Sequence, residues 1–262
     1  MERDTGQASR VRAGEYRLTD DLVPDTLLAL LVSGRSIEYQ LTLVEGWNIR
    51  QVRAAVAAHD ALAHTISELD DATLMERLGR PGVHPEGRFF PDTYSFLRGT
   101  TDLAFLTRAM ARMDEQLAAA WAARADDIPL KTPEEALILA SIVEKETGLA
   151  SERPDIAGVF TRRLHRGMKL QTDPTVIYGM GERFDGNIRR KDLREDTPYN
   201  TYVHRGLPPT PICMPGREAL DAAVNPADGK TLYFVARGDG SHAFSETLKQ
   251  HNAAVRKYQL KR

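Results

Sequence analysis

A single cysteine, Cys213, in 262 residues excludes two kinds of architecture at once. No intramolecular disulfide can form, and no cysteine-based metal site can be assembled. Long apolar runs are also missing. The longest early one, Leu27 to Val32, falls far short of the roughly 20 residues that cross a bilayer. The opening stretch MERDTGQASRVRAGEYRL lacks the apolar core of a signal peptide, so no leader is expected within it. Basic excess is absent too. Lys and Arg number 35 against 37 Asp and Glu, a net charge of −2, which offers no field to attract nucleic acid.

The familiar cofactor and nucleophile signatures are incomplete in turn. His59 and His64 are five apart, without the Glu of HExxH, so zinc is not expected. Gly179-Met-Gly181 has Phe184 where a dinucleotide fingerprint needs its third glycine, and no glycine-rich loop ends in Gly-Lys-Ser/Thr. Ser141 falls inside a helical pattern with no nucleophile elbow around it. No metal and no cofactor are expected. His242 and His251 are candidates for polar contacts, with core or surface packing the favoured reading. Asp173 before Pro174 reads equally as a helix N-cap or as a chemical group.

What remains is glutamate. At 42% hydrophobic the chain can bury a core, as one large domain or one with a small companion. Within it, Thr132 to Thr147 reads TPEEALILASIVEKET, a helix that Thr132 can cap, Pro133 can start and Gly148 can stop. Glu135 stands where a capping-box acid belongs. At about 100° per residue, Leu137, Ile138, Leu139, Ile142 and Val143 define one apolar direction. Glu146 projects near the centre of that direction, Glu144 almost opposite and Lys145 to the side. A carboxylate continuing an apolar stripe is desolvated, which raises its pKa and suits it to general acid chemistry. The alternative is a last-turn side chain reaching solvent or pairing with a base such as Arg153.

Around this helix the pattern is irregular. A strand is expected at Tyr16–Leu18, a helix over Pro24–Ser33 buried through Leu27, Leu28, Leu30 and Leu31, and a strand at Tyr39–Leu43. A helical pattern begins at Ile49 and continues through VRAAVAAHDALAHTISEL, and Pro81 to Pro91 reads as loop. Helices are expected over Thr101–Ala125, Pro154–Arg166 and Glu246–Tyr258, and a hairpin over Leu232–Ala236 and His242–Phe244. Few strands among many helices, without regular alternation, argue for α+β. Residues 185–217 form a proline-rich loop carrying TPYNTYVHRGLPPTPI. Such a loop either pins structure or builds a binding surface, where Tyr199 and Tyr202 would stack on a sugar and Asn200 and Thr201 would supply hydrogen bonds.

Several longer motifs occur together: EGRFFPDTY at Glu86–Tyr94, ASIVEKET at Ala140–Thr147, SER at Ser151–Arg153 and LQTDPTVIYGMG at Leu170–Gly181. YNTY at Tyr199–Tyr202, GLPPTPI at Gly206–Ile212, LYFV at Leu232–Val235 and HAFSETLKQHN at His242–Asn252 follow. In this order they resemble the YceG-like (MltG) endolytic murein transglycosylases, over roughly residues 14–258. The resemblance implies an α+β fold, with a mixed helical and small-sheet catalytic domain at 47–262 preceded by a partial LysM-like subdomain at 14–46. Residues 1–13 would be a disordered N-terminal remnant. It implies cleavage of the β-1,4 bond between N-acetylmuramic acid and N-acetylglucosamine within peptidoglycan strands, leaving 1,6-anhydro ends. The family's catalytic glutamate is the second of the EKE triplet, here Glu146, the residue that the helical geometry also selects. Gln171, Thr172, Asp173, Tyr199, Asn200 and Tyr202 are expected to orient the sugar.

The resemblance further implies an extracytoplasmic, periplasmic place at the bacterial inner membrane and glycan strands as partner. Penicillin-binding synthases are plausible partners in this family. Membrane attachment would come only through an N-terminal helix that this sequence lacks. A catalytically silent glycan-binding scaffold and a water-using hydrolase are the competing readings.

Overall fold

The computed structural model describes residues 10–20 and 22–260. Most of the expected N-terminal remnant, residues 1–9, lies outside the described residues. The fold is α+β, nine helices around three two-stranded sheets among the described residues. No helix among them is long and apolar enough to cross a membrane.

The chain opens with α1 (Pro24–Ser33), which Gly34 ends in the left-handed conformation at φ 69°. Its leucines 27, 28, 30 and 31 are only half-buried, so the expected buried face is a partial one. No strand forms at Tyr16–Leu18. The segment is irregular, and the Tyr16 hydroxyl donates to Arg12 O at 2.6 Å. β1 (Glu38–Thr42) pairs antiparallel with β3 (Thr93–Leu97), from Glu38 opposite Leu97 to Thr42 opposite Thr93. The N-terminal segment is thereby stitched to residues more than fifty positions on.

The helical pattern expected from Ile49 stops early. α2 covers Ile49–Ala57, with Asn48 as its cap, and residues 62–63 form β2, a short parallel pair with β4 (Thr100–Thr101). The cause is long-range. The buried carboxylate of Asp102 takes the backbone N–H groups of Thr65 and Ile66, and Gly99 N donates to Ala61 O. Those bonds hold the segment away from a helix until α3 (Asp71–Arg77), which Asp70 caps.

Two hydrophobic clusters share α4 (Asp102–Ala122). Phe105, Leu106 and Ala109 face the first, with α2, α3 and β3. Met113, Leu117 and Ala120 face the second, built by α5 (Pro133–Glu146), α6 (Arg153–His165) and α8 (Arg217–Val224). Every residue from Ala136 to Val143 is buried, so α5 is enclosed on all sides rather than along one stripe. Small side chains make this possible, with Ala136 and Ala140 meeting Ala219, Ala222 and Ala223 of α8 in one core. The buried Ser141 hydroxyl donates to Ile138 O at 2.7 Å and accepts from Ile212 N at 3.0 Å, tying the proline-rich loop to the centre. After α7 (Asp173–Met180), the chain closes with the hairpin β5 (Tyr233–Ala236) and β6 (His242–Ser245), then α9 (Leu248–Tyr258).

Candidate active site

α5 starts as its sequence directs: Thr132 accepts from Glu135 N, and Pro133 occupies the first turn. The Glu135 carboxylate turns back to Lys131 N rather than to the cap's own N–H, so the capping box is not closed. The helix ends at Glu146 itself. Thr147 is already extended at φ −141°, buried, and accepts from Leu149 N at 3.0 Å, so the stop comes before Gly148. Glu146 is therefore the last helical residue of a buried rod, aimed out of the protein's centre.

The neighbouring glutamate has a different fate. Glu144 has a nearly buried side chain and bonds Arg153 at 3.0 Å, while its second oxygen accepts from Gly216 N at 2.9 Å. Arg153 also binds Glu218. The base that could have neutralised Glu146 is thus committed to the opposite side of the helix.

Glu146 opens on a cavity of about 510 Å³. Its first wall is the turn leading into α7. Thr172 occupies the cap position of α7 but makes no capping bond; its hydroxyl is turned to Glu146 and donates to Oε1. Thr201 holds that turn in place: its hydroxyl accepts from Thr172 N at 3.1 Å and meets Thr175 Oγ1 at 2.9 Å. Gln171, at φ 52°, is the only non-glycine residue in the left-handed region among the described residues. Such a conformation costs about 1–2 kcal/mol and persists where surroundings impose it. Here Gln171 N donates to Thr201 O at 3.2 Å, and its exposed side chain lines the cavity. Asp173 is the first residue of α7 rather than its cap; it accepts from the Tyr202 hydroxyl at 2.6 Å, and both residues line the cavity.

The opposite wall was not foreseen as part of the site. Arg163 of α6 donates to Leu232 O and Leu170 O, each at 2.7 Å, and its guanidinium lies 5.1 Å from the Tyr233 ring centre. His242 of β6 and His251 of α9 face the same space, together with Tyr233. From the sequence, core or surface packing is the favoured reading of these two histidines, with polar contacts as the alternative. The hairpin and α9 fold them over Glu146 from about a hundred residues away.

Two expected contacts lie elsewhere. Tyr199 packs edge-on against Tyr178, ring centres 4.8 Å apart, and its hydroxyl meets Thr210 Oγ1 at 2.8 Å. Asn200 is buried, with its amide donating to Asp192 O and Glu195 O and its Oδ1 accepting from Tyr202 N. Both stand outside the cavity wall and hold the loop that carries Tyr202 and Thr201. Among the described residues no group of three or more metal-ligating side chains comes together.

Burial raises two carboxyls of this region, Glu146 and Glu86. It pushes the Glu146 carboxyl up to about 7, and the nearby Asp173 charge adds to the rise. The Thr172 hydrogen bond pulls the other way, and so does the Arg163 guanidinium. Glu86, completely buried, is also pushed up to about 7 by desolvation. Its oxygens accept from Ile49 N at 3.0 and 3.2 Å and from the Tyr178 hydroxyl at 3.0 Å, so it clamps the start of α2 to α7. A raised pKa alone therefore does not mark the site. Among the described residues only Glu146 combines it with an open cavity and a carboxyl oxygen, Oε2, that bonds no protein group.

Comparison with known proteins adds an independent line. The sequence model of the YceG-like family matches residues 1–257. An endolytic murein transglycosylase of Bacillus subtilis is 35% identical over 268 residues, covering 96% of this chain and 74% of that protein. One from Streptococcus pneumoniae is 29% identical over 279 residues, and there the match spans 50% of the relative's length. A crystal structure of a yceG-like protein from Listeria monocytogenes superposes with a TM-score of 0.68 at 29% identity, covering 95% of this chain and 86% of that one.

Proposed function

The chain belongs to the YceG-like family, and from that premise we propose that it is an endolytic lytic transglycosylase acting on peptidoglycan, with Glu146 as its acid and base. The observation that carries the reading is the position of Glu146. It is a carboxyl held near pH 7, bonded through one oxygen to Thr172, at the head of a cavity walled by polar and aromatic groups.

The chemistry needs one such group. Protonated Glu146 donates through its free oxygen to the glycosidic oxygen between N-acetylmuramic acid and N-acetylglucosamine as the bond to the anomeric carbon breaks. The carboxylate left behind takes the proton of the muramic acid C6 hydroxyl, and that oxygen closes onto the anomeric carbon. Glu146 ends the cycle protonated, no water is consumed, and the strand carries a 1,6-anhydro end. The nucleophile belongs to the substrate, so its proximity replaces the second carboxylate of paired-acid glycosidases. Thr172 stabilises the carboxylate at the mid-point of the cycle, when Glu146 bears its charge. Asp173, fixed by Tyr202, places a negative charge near the cationic carbon. Gln171 and Tyr202 contact the sugar, while Tyr199 and Asn200 act at one remove by holding the loop.

Within this reading residues 47–262 are the catalytic domain. Residues 14–46 are the later part of a LysM-like unit, a spacer or a glycan contact. The site of action is the outer face of the cytoplasmic membrane, beside peptidoglycan synthases. Purified strands incubated with the protein are expected to shorten internally, and Glu146→Gln to leave them intact while folding normally. Equal shortening by both proteins would end the assignment of Glu146.

A further inference from the structure

The hairpin wall of the cavity contains a polar pair with no part in the reaction above. Glu152, in the single 3₁₀ turn Ala150–Glu152 between α5 and α6, accepts twice from His242. Its Oε1 takes the His242 backbone N–H at 2.9 Å and its Oε2 takes the ring at Nδ1, at 2.7 Å. Both side chains are largely buried, at 11% and 15% exposure. A carboxylate only accepts, so this bond places a proton on Nδ1, and whenever the imidazole is neutral its lone pair stands at Nε2. Nε2 bonds no protein group among the described residues, yet it is not one of the buried atoms left without a partner. The remaining exposure of the ring is therefore toward the cavity it lines with Glu146.

The ring has little freedom to turn away. Phe234 meets it edge-on at 5.4 Å between centres, and Phe244 packs beside Phe234 on the same side at 6.5 Å, while the two bonds to Glu152 hold the ring's Nδ1 edge. A histidine that served only to fasten the hairpin would not need one nitrogen held unpaired over the site. Arg162 and Arg163 already fasten that hairpin and its approach, donating to Thr231 O, Ala227 O and Leu232 O.

We propose that His242 is a substrate-binding residue of the cleavage site, whose Nε2 accepts a hydrogen bond from a hydroxyl or acetamido N–H of the amino sugar beside Glu146, and that Glu152 is the positioning residue that fixes its tautomer. The inference rests on the transglycosylase reading and deepens it. It gives the SER and HAFSETLKQHN segments a shared purpose, since they supply the two halves of one pair from segments 90 residues apart.

The test uses nitrogen-15 NMR of the histidine side chains in the full chain carrying Glu146→Gln, titrated with purified uncleaved glycan strands. His242 should show the Nδ1–H tautomer before addition, and its Nε2 resonance should move upfield as strands bind. Glu152→Gln in the same background should give a mixed tautomer. Strand-dependent changes at the amides of Leu248 and Val255 with a stationary His242 would overturn this inference and leave the transglycosylase reading intact. No change anywhere in the cavity would overturn both. In the otherwise wild-type enzyme His242→Ala should lose about tenfold in kcat/KM, the worth of one hydrogen bond, and added imidazole should restore part of it. Undiminished turnover in that variant would also sink the inference.

Discussion

Glu146→Gln should make this protein more stable, and only above a definite pH. The wild-type carboxyl is held protonated from its ordinary 4.5 up to about 7 by burial. In the unfolded chain the same group ionises near 4.5, so between these values the native state binds more protons than the unfolded one. Stability then falls as pH rises through that window, and the loss is complete above pH 7. Two and a half pH units at about 1.4 kcal/mol each amount to about 3 kcal/mol. Glutamine has no charge to desolvate, and its carbonyl still accepts from Thr172. The variant should therefore equal wild type near pH 4 and exceed it by about 3 kcal/mol near pH 8, or about 6 °C in Tm for a chain of this size. Glu86 has a similarly raised carboxyl but is present in both proteins, so it cancels in the difference. Urea unfolding of the two proteins at pH 4, 6 and 8 measures the effect. A stability difference that does not change with pH would refute the claim that the fold holds Glu146 against its charge.

Thr172→Val removes the hydroxyl that favours the Glu146 carboxylate. The carboxyl should rise further, so the alkaline fall in kcat/KM, expected near pH 7 in the wild type, should move up by about one unit; a limb that stays or moves down would contradict the bond's role. Gly158→Ala, in the middle of α6, should destabilise despite alanine's better helix propensity. A Cβ there would come 2.5 Å from Ala227 O, a backbone atom, so a net loss of about 1–2 kcal/mol is expected by thermal unfolding.

The legible parts of the fold were those whose signals are local. α5, α6 and the β5–β6 hairpin lie close to where caps, apolar spacing and the turn at Gly238–Gly240 put them. Glu146 could be picked out as a candidate because one helix carries both the apolar run and the carboxylate, although α5 is buried all round rather than along a stripe. What escaped depends on partners distant in sequence. β3 exists because β1 is there to pair with it, and α2 stops because Asp102 captures the backbone beyond it. The near-complete burial of Glu144 could not be read from its helical position, since its partners Arg153 and Gly216 arrive from two other segments. Asn200 looked like a sugar-binding amide but spends all of its hydrogen-bonding groups on its own loop. His242 carried no spacing signal at all. Its place in the site comes from the hairpin folding across the end of α5, and a search for a carboxylate partner such as Glu152 is possible only in three dimensions.

The central claim is that Glu146 directs an intramolecular closure rather than an attack by water. Digestion of purified peptidoglycan strands in water labelled with oxygen-18, followed by mass spectrometry of the new ends, tests it most directly. Wild-type protein should release ends one water lighter than a reducing sugar, carrying no label, and Glu146→Gln should release none. Labelled reducing ends would contradict the account and identify the protein as a hydrolase.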